Sequence, residues 1–234
     1  MSTATPAVCQ PRSRRPRRRW QTGRISDDTE LRAAWTAVVG DGPEALAGLD
    51  DVVARHREPH RRYHGVRHVT WVVRHVHELL AEVPVADAGA VIAAAFFHDA
   101  VYDPRADDNE ERSAQLAERV LAGLGWEAAR CAKVGRLVRA TASHAPTDDP
   151  ETAVLLDADL AVLGAEPAAY QAYVTGVRAE YAHLDDAAWR EGRSAVLRSL
   201  LGRTPLYSTE PARRRWGARA AANMTAELAA LAPR

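Results

Sequence analysis

Cysteine is nearly absent: Cys9 and Cys131 are the only two, with no CxxC and no paired spacing. That excludes a disulfide scaffold and fits a reducing cytoplasm. Lysine is scarcer still, Lys133 standing alone against 30 arginines, a bias that carries no functional weight. No run of about 18 apolar residues occurs, and the Arg-rich start leads into no apolar stretch, so neither a membrane span nor a secretory signal is expected. No segment alternates convincingly as a strand, and no repeat of about 20–50 residues recurs. A chain of 234 residues can nevertheless bury roughly 70–75% of its unfolded surface, enough for a core without staples.

Charge is balanced overall but not along the chain. Residues 1–24 hold seven arginines and no acid, so the other 210 residues carry 24 basic against 31 acidic groups, a net of −7. An acidic body argues against a broad nucleic-acid surface there. Residues 1–25 are read as a solvated, disordered basic tail, the one part suited to binding polyanions. Residues 26–234 are read as a single all-helical domain, since nothing in the middle resembles a linker.

Within that domain, Asp27 and Glu30 at capping-box spacing open a helix to about Val39, and Pro43 at a first-turn position opens another to about Arg57. Pro59 breaks the chain before a long helix from about Tyr63 to Val83, in which Val66, Val69, Val73, Val76, Leu80 and Val83 recur every three or four residues. Residues 88–97 are apolar on every side and predict a fully buried helix ending at His98-Asp99. Further helices are expected at about 108–123, 127–143, 151–163, 167–183, 186–201 and 211–231.

The His98-Asp99 pair says little alone, but an ionised Asp at the end of a buried helix costs several kcal/mol unless a cation or donors compensate it. On the long helix, His64, His68, Val72, His75 and Leu79 form a stripe beside the valine seam, which turns His68 inward. Downstream, Asp157 and Asp159 lie two apart in an apolar stretch and so point to opposite sides. Asp159 shares its side with Leu155, Leu156, Val162 and Leu163 and is the expected ligand, leaving Asp157 to cap or support. Two imidazoles and two carboxylates suit one divalent ion, Mn, Fe, Mg, Co, Ni or Zn. Such an ion lowers the pKa of a bound water and offsets charge on phosphoryl oxygens, so phosphoester hydrolysis is a natural use of the set. Asp99 is then both ligand and proton acceptor.

The segments YHGVRH (63–68), HDAVYDP (98–104), DNEERSA (108–114) and LLDADLAVLG (155–164) together resemble the short bacterial metal-dependent phosphohydrolases of the HD superfamily. The likeness runs from about Leu31 to the C-terminus and leaves out the tail. It implies the all-helical HD fold and a divalent metal on His68, His98, Asp99 and Asp159. It also implies hydrolysis of a phosphorylated small molecule, a nucleotide phosphoester or phosphoanhydride, by a metal-bound water. One departure is informative: alarmone hydrolases of the superfamily carry Glu-Asp three and four residues after the pair, and here Tyr102 and Asp103 stand there. Asp103 is retained as a catalytic candidate that orients a water. His144 falls where related enzymes sometimes carry an extra His near the phosphate, and it is grouped with His64 and Arg178 as substrate-binding candidates.

Blander readings compete at each point. His56, His60, His64 and His68 suggest a HxxxH zinc site, but Pro59 interrupts the helix and Gly65 stands where HExxH needs Glu. Glu110 and Glu111 read first as acids in the first turn of a helix. Arg178, Glu180 and Tyr181 read as a polar patch on a later helix, and Arg193, Arg203 and Tyr207 are left unassigned. The competing function is a non-catalytic, nucleotide-sensing or scaffold module with a structural metal or polar cluster.

Overall fold

The computed structural model describes residues 26–232; the basic segment 1–25, read above as a disordered tail, lies outside them. Among the described residues every element is helical and no strand forms. The order is α1 (Asp27–Val38), α2 (Pro43–Arg55), α3 (Val66–Leu80), α4 (Ala88–Phe97), α5 (Asn109–Gly123), α6 (Ala128–Ala140) and α7 (Pro150–Asp159). A 3-10 turn, Leu160–Gly164, leads to α8 (Pro167–Glu180) and α9 (Asp186–Leu201). The chain closes with α10 (Glu210–Ala212), a π turn at Arg213–Gly217, and α11 (Ala218–Leu231).

Helix α4 is the axis of the core. Every residue from Ala90 to Phe97 is buried, and the helix packs against α1, α3, α5, α6 and α7, which is why no face of it is polar. Its start is fixed by Asp87, whose side chain accepts the Ala90 N–H at 2.9 Å and is itself gripped by Arg130 at 2.8 and 2.9 Å. Trp35 of α1 meets Phe96 edge-on at 5.1 Å and donates its indole N–H to the Ala45 carbonyl at 2.9 Å. The seam of α3 runs through Val69, Val72, Val73, Val76 and Leu79, all at most 1% exposed. Burying such side chains contributes about 1.5–3 kcal/mol each.

Several helices are shorter than their sequence pattern, and the reasons are tertiary. The helix predicted from Tyr63 begins only at Val66, because the N–H groups of Arg62, Tyr63 and His64 all donate to one carboxylate oxygen of Glu180, at 2.7, 2.7 and 3.0 Å. Residue His64 is therefore in a capping turn and does not share a helix face with His68. The helix predicted over 151–163 turns to 3-10 geometry after Asp159. Gly164 there packs so tightly on Trp216 that an added Cβ would meet its Cβ at 2.4 Å. Helix α6, predicted to 143, stops at Ala140, and four residues later His144 adopts a φ of 47°.

A candidate metal centre at the end of the buried helix

Helix α4 delivers His98 and Asp99, α3 delivers His68 from its first turn, and α7 delivers Asp159 from its last residue. The His68 and His98 Nε2 atoms face each other at 3.0 Å. Asp99 Oδ2 lies 3.3 Å from His68 Nε2 and 3.1 Å from His98 Nε2. Asp159 Oδ1 lies 3.3 and 3.6 Å from the same two nitrogens. The histidine side chains are 3% and 0% exposed against 16% for Asp99 and 14% for Asp159, so the centre opens to solvent on its carboxylate side.

These atoms fit a metal cation. The His98 Nδ1–H donates to the Ala95 carbonyl at 2.8 Å, which leaves Nε2 of the neutral ring as a lone pair aimed at the Nε2 of His68. Lone pairs and buried carboxylates converging in this way repel unless positive charge lies among them. The chain by itself supplies protons: although burial opposes it, Asp99 and Asp159 push the pKa of His98 up to about 9. Burial likewise works against ionised Asp159, yet the charge on His98 and hydrogen bonds from His144 and His68 hold its pKa well below the usual carboxylate range. Donor atoms bound at about 2.0–2.2 Å with angles near 90–110° lie about 2.8–3.6 Å from one another, the range seen here. His68, His98 and Asp159 can thus hold a metal ion, with Asp99 beside both imidazoles.

A shell of further groups holds this set in place. His144 Nε2–H donates to Asp159 Oδ2 at 2.7 Å, turning Oδ1 toward the imidazoles. The left-handed backbone of His144 costs about 1–3 kcal/mol and is held by Arg203, which donates to the carbonyls of His144 and Ser143. His64 Nδ1–H donates to Glu180 Oε2 at 2.7 Å, and the Tyr102 hydroxyl donates to the same oxygen at 3.0 Å. Glu180 thereby takes five hydrogen bonds; against burial, the His64 side chain, by hydrogen bond and charge, and the Tyr63 and His64 N–H groups hold its pKa down to about 2. Arg61, its side chain 1% exposed, donates to the carbonyls of His64, Asp99 and Ala100 at 3.0, 2.7 and 3.2 Å. It ties the capping turn to the end of α4.

Two cavities of about 530 and 520 Å³ adjoin the centre, and both are lined by His64, His144, Asp159 and Tyr173. The expected ligands and the candidates His64 and His144 are therefore gathered in one place. Asp103 and Arg178 are not. Asp103 is exposed and its carboxylate accepts the Arg105 N–H at 2.9 Å. Arg178 donates to the Tyr181 and Leu184 carbonyls and to Asp186 at 2.9, 3.2 and 2.9 Å, finishing α8. Glu180, read from sequence as part of a polar patch that is surface or structural, has a side chain that is 0% exposed and serves the structure. Arg61 and the Tyr102 hydroxyl belong to the same supporting shell. No local pattern marks these residues, since Glu180 reaches its partners across 116–118 positions of chain.

His56 donates to the Phe96 carbonyl at 3.3 Å and His60 to the Tyr102 carbonyl at 2.9 Å, so the four histidines at spacing four serve separate roles. Glu111 is exposed and pairs with Arg139 at 2.6 Å. No family model, curated protein or solved structure matches this chain.

Proposed function

We propose that this chain is a metal-dependent hydrolase of phosphorylated small molecules. The observation that carries the reading is the convergence of His68, His98, Asp99 and Asp159 beside a solvent-open cavity. A divalent ion held there supplies Lewis acidity, which offsets charge on phosphoryl oxygens and acidifies a bound water. The likeness to HD-superfamily phosphohydrolases in the motifs around these four residues supports the same reading.

The chain's own groups divide the remaining work. Asp99, whose Oδ2 faces both imidazoles and whose side chain is 16% exposed, is the carboxylate placed to accept a proton from water in the cavity. His64 has its Nδ1–H fixed by Glu180, so its Nε2 is the atom offered to a substrate: an acceptor when the ring is neutral, a donor to a phosphoryl oxygen when it is charged. His144 acts through Asp159 as a positioning residue. Arg203 has no acidic partner among the described residues, so its charge is available to an anion in the cavity that it lines. Asp103 and Arg178 have no part in this account, their side chains being engaged elsewhere.

The test is phosphate release from a panel of nucleotides and simple phosphoesters with added Mn, Co, Ni or Mg, for wild type and Asp99→Ala. Turnover that depends on the metal and disappears in the variant, with helical content unchanged, is expected. Full activity in Asp99→Ala would overturn the assignment, and bound metal with no turnover on any substrate would support the sensing module instead.

A further inference from the structure

The cavity of about 520 Å³ that Asp99, His144 and Asp159 line carries an aromatic wall as well, made of Tyr102, Tyr181 and Trp189. Most polar groups along this wall are already committed. Tyr102 donates its hydroxyl to Glu180. Asn109 is closed on the backbone of Asp103, its Nδ2 donating to the carbonyl at 2.8 Å and its Oδ1 accepting the N–H at 2.9 Å. Arg193 is locked to both oxygens of Glu227 at 2.8 and 3.0 Å, and its remaining nitrogen donates to the Tyr173 hydroxyl at 3.0 Å.

Outside the metal centre, two charged groups on the lining remain without an ion pair or hydrogen bond among the described residues: Asp107 and Glu110. Both are acceptors only. The cavity thus joins a centre suited to phosphate with an aromatic wall and two negative acceptors, Asp107 exposed and Glu110 half-buried. A bare phosphate would leave the wall unused, and a flat ring presenting carbonyls would set its lone pairs against the carboxylates. A ring presenting N–H groups meets both features, since stacking surface and charged acceptors are supplied together.

We infer that this wall receives a nucleobase bearing an exocyclic amino group, and that Asp107 and Glu110 set the choice of base. The inference rests on the phosphohydrolase reading for the phosphate end and adds the class of substrate, an amino-bearing nucleotide. Hydrogen bonds to charged groups are worth about 1.5–3 kcal/mol when fully formed. For acids at a solvent-open wall, the amino group is expected to gain about tenfold in affinity, the lower end of that range.

The experiment pairs nucleotides that differ in the amino group, GMP with IMP and CMP with UMP, using the full chain loaded with Mn. Calorimetric affinity and phosphate release are both read, in wild type and in Asp107→Asn, Glu110→Gln and the double variant, with circular dichroism to confirm folding. The amino-bearing member of each pair should bind about tenfold tighter, and the ratio should fall toward one in the double variant, whose amides can donate to carbonyl edges. Equal affinities within both pairs, or a preference that survives the double variant, would overturn the inference. Selective binding without phosphate release would keep it and remove the hydrolase reading. Release without selectivity would do the reverse, and absence of both would remove both.

Discussion

Asp157 and Asp159 sit two positions apart on the same helix and are opposites in circumstance. Asp157 accepts the backbone N–H groups of Ser208 and Thr209 at 2.9 and 2.7 Å. It closes the start of α10, and burial pushes its pKa up. Asp159 faces two imidazole nitrogens and a third histidine. A buried carboxylate met by fixed N–H donors is complete and serves the fold. One met by groups that can themselves bind a metal ion calls for added positive charge, which is the mark of a candidate site rather than of a core.

The largest effect expected from breaking this contrast is at Asp159. Asp159→Ala should lower phosphate release at least about 10³-fold, roughly 4 kcal/mol of barrier, with the helical circular dichroism spectrum retained. A comparable loss in Asp157→Ala would show that the two acids are not distinct. Next is the pH dependence carried by Glu180. Its folded pKa is about 2 against an ordinary 4.5, so its stabilisation is complete above about 4.5 and is lost as pH falls toward about 2. The linked amount is about 3 kcal/mol. Urea unfolding of wild type and Glu180→Gln from pH 6 to 2.5 should show the wild-type advantage shrinking through that window; a constant difference would contradict the assignment.

Smaller still, Asp157→Ala should cost about 2 kcal/mol of unfolding free energy, from one buried and one half-buried N–H group left without acceptors, with metal content unchanged. Metal loss in that variant would merge the two acids into one cluster. The smallest effect is at Asp149, which accepts the Thr152 N–H at 3.0 Å at the exposed start of α7. Asp149→Ala should cost about 1 kcal/mol, measurable as a shift in denaturation midpoint, and a larger loss than for Asp157→Ala would reverse the ranking of buried over exposed caps.

The contrast also explains what the sequence could and could not disclose. Apolar periodicity placed α3, the all-round apolar run placed α4, and the side shared with Leu155 and Leu163 selected Asp159 over Asp157; each is a local signal. His64 was placed on the α3 stripe by the same logic, and the Glu180 carboxylate overrides it by taking the N–H groups that would have extended the helix. Glu180 itself, Arg61 and the left-handed turn at His144 depend on partners far along the chain, which no window of residues contains. Asp103 was selected by position relative to the His98-Asp99 pair, but the Arg105 N–H draws its carboxylate into the loop. What was legible is what helix geometry dictates, and what was missed is what long-range hydrogen bonding decides.

The most direct measurement is metal content by elemental analysis of purified wild type and His68→Ala. Wild type should carry near-stoichiometric divalent metal and the variant should lose it, with the helical circular dichroism spectrum retained in both. Absence of metal from wild type after incubation with Mn, Fe, Co, Ni, Zn or Mg, or full retention in His68→Ala, would contradict this and leave the four residues as a protonated polar cluster.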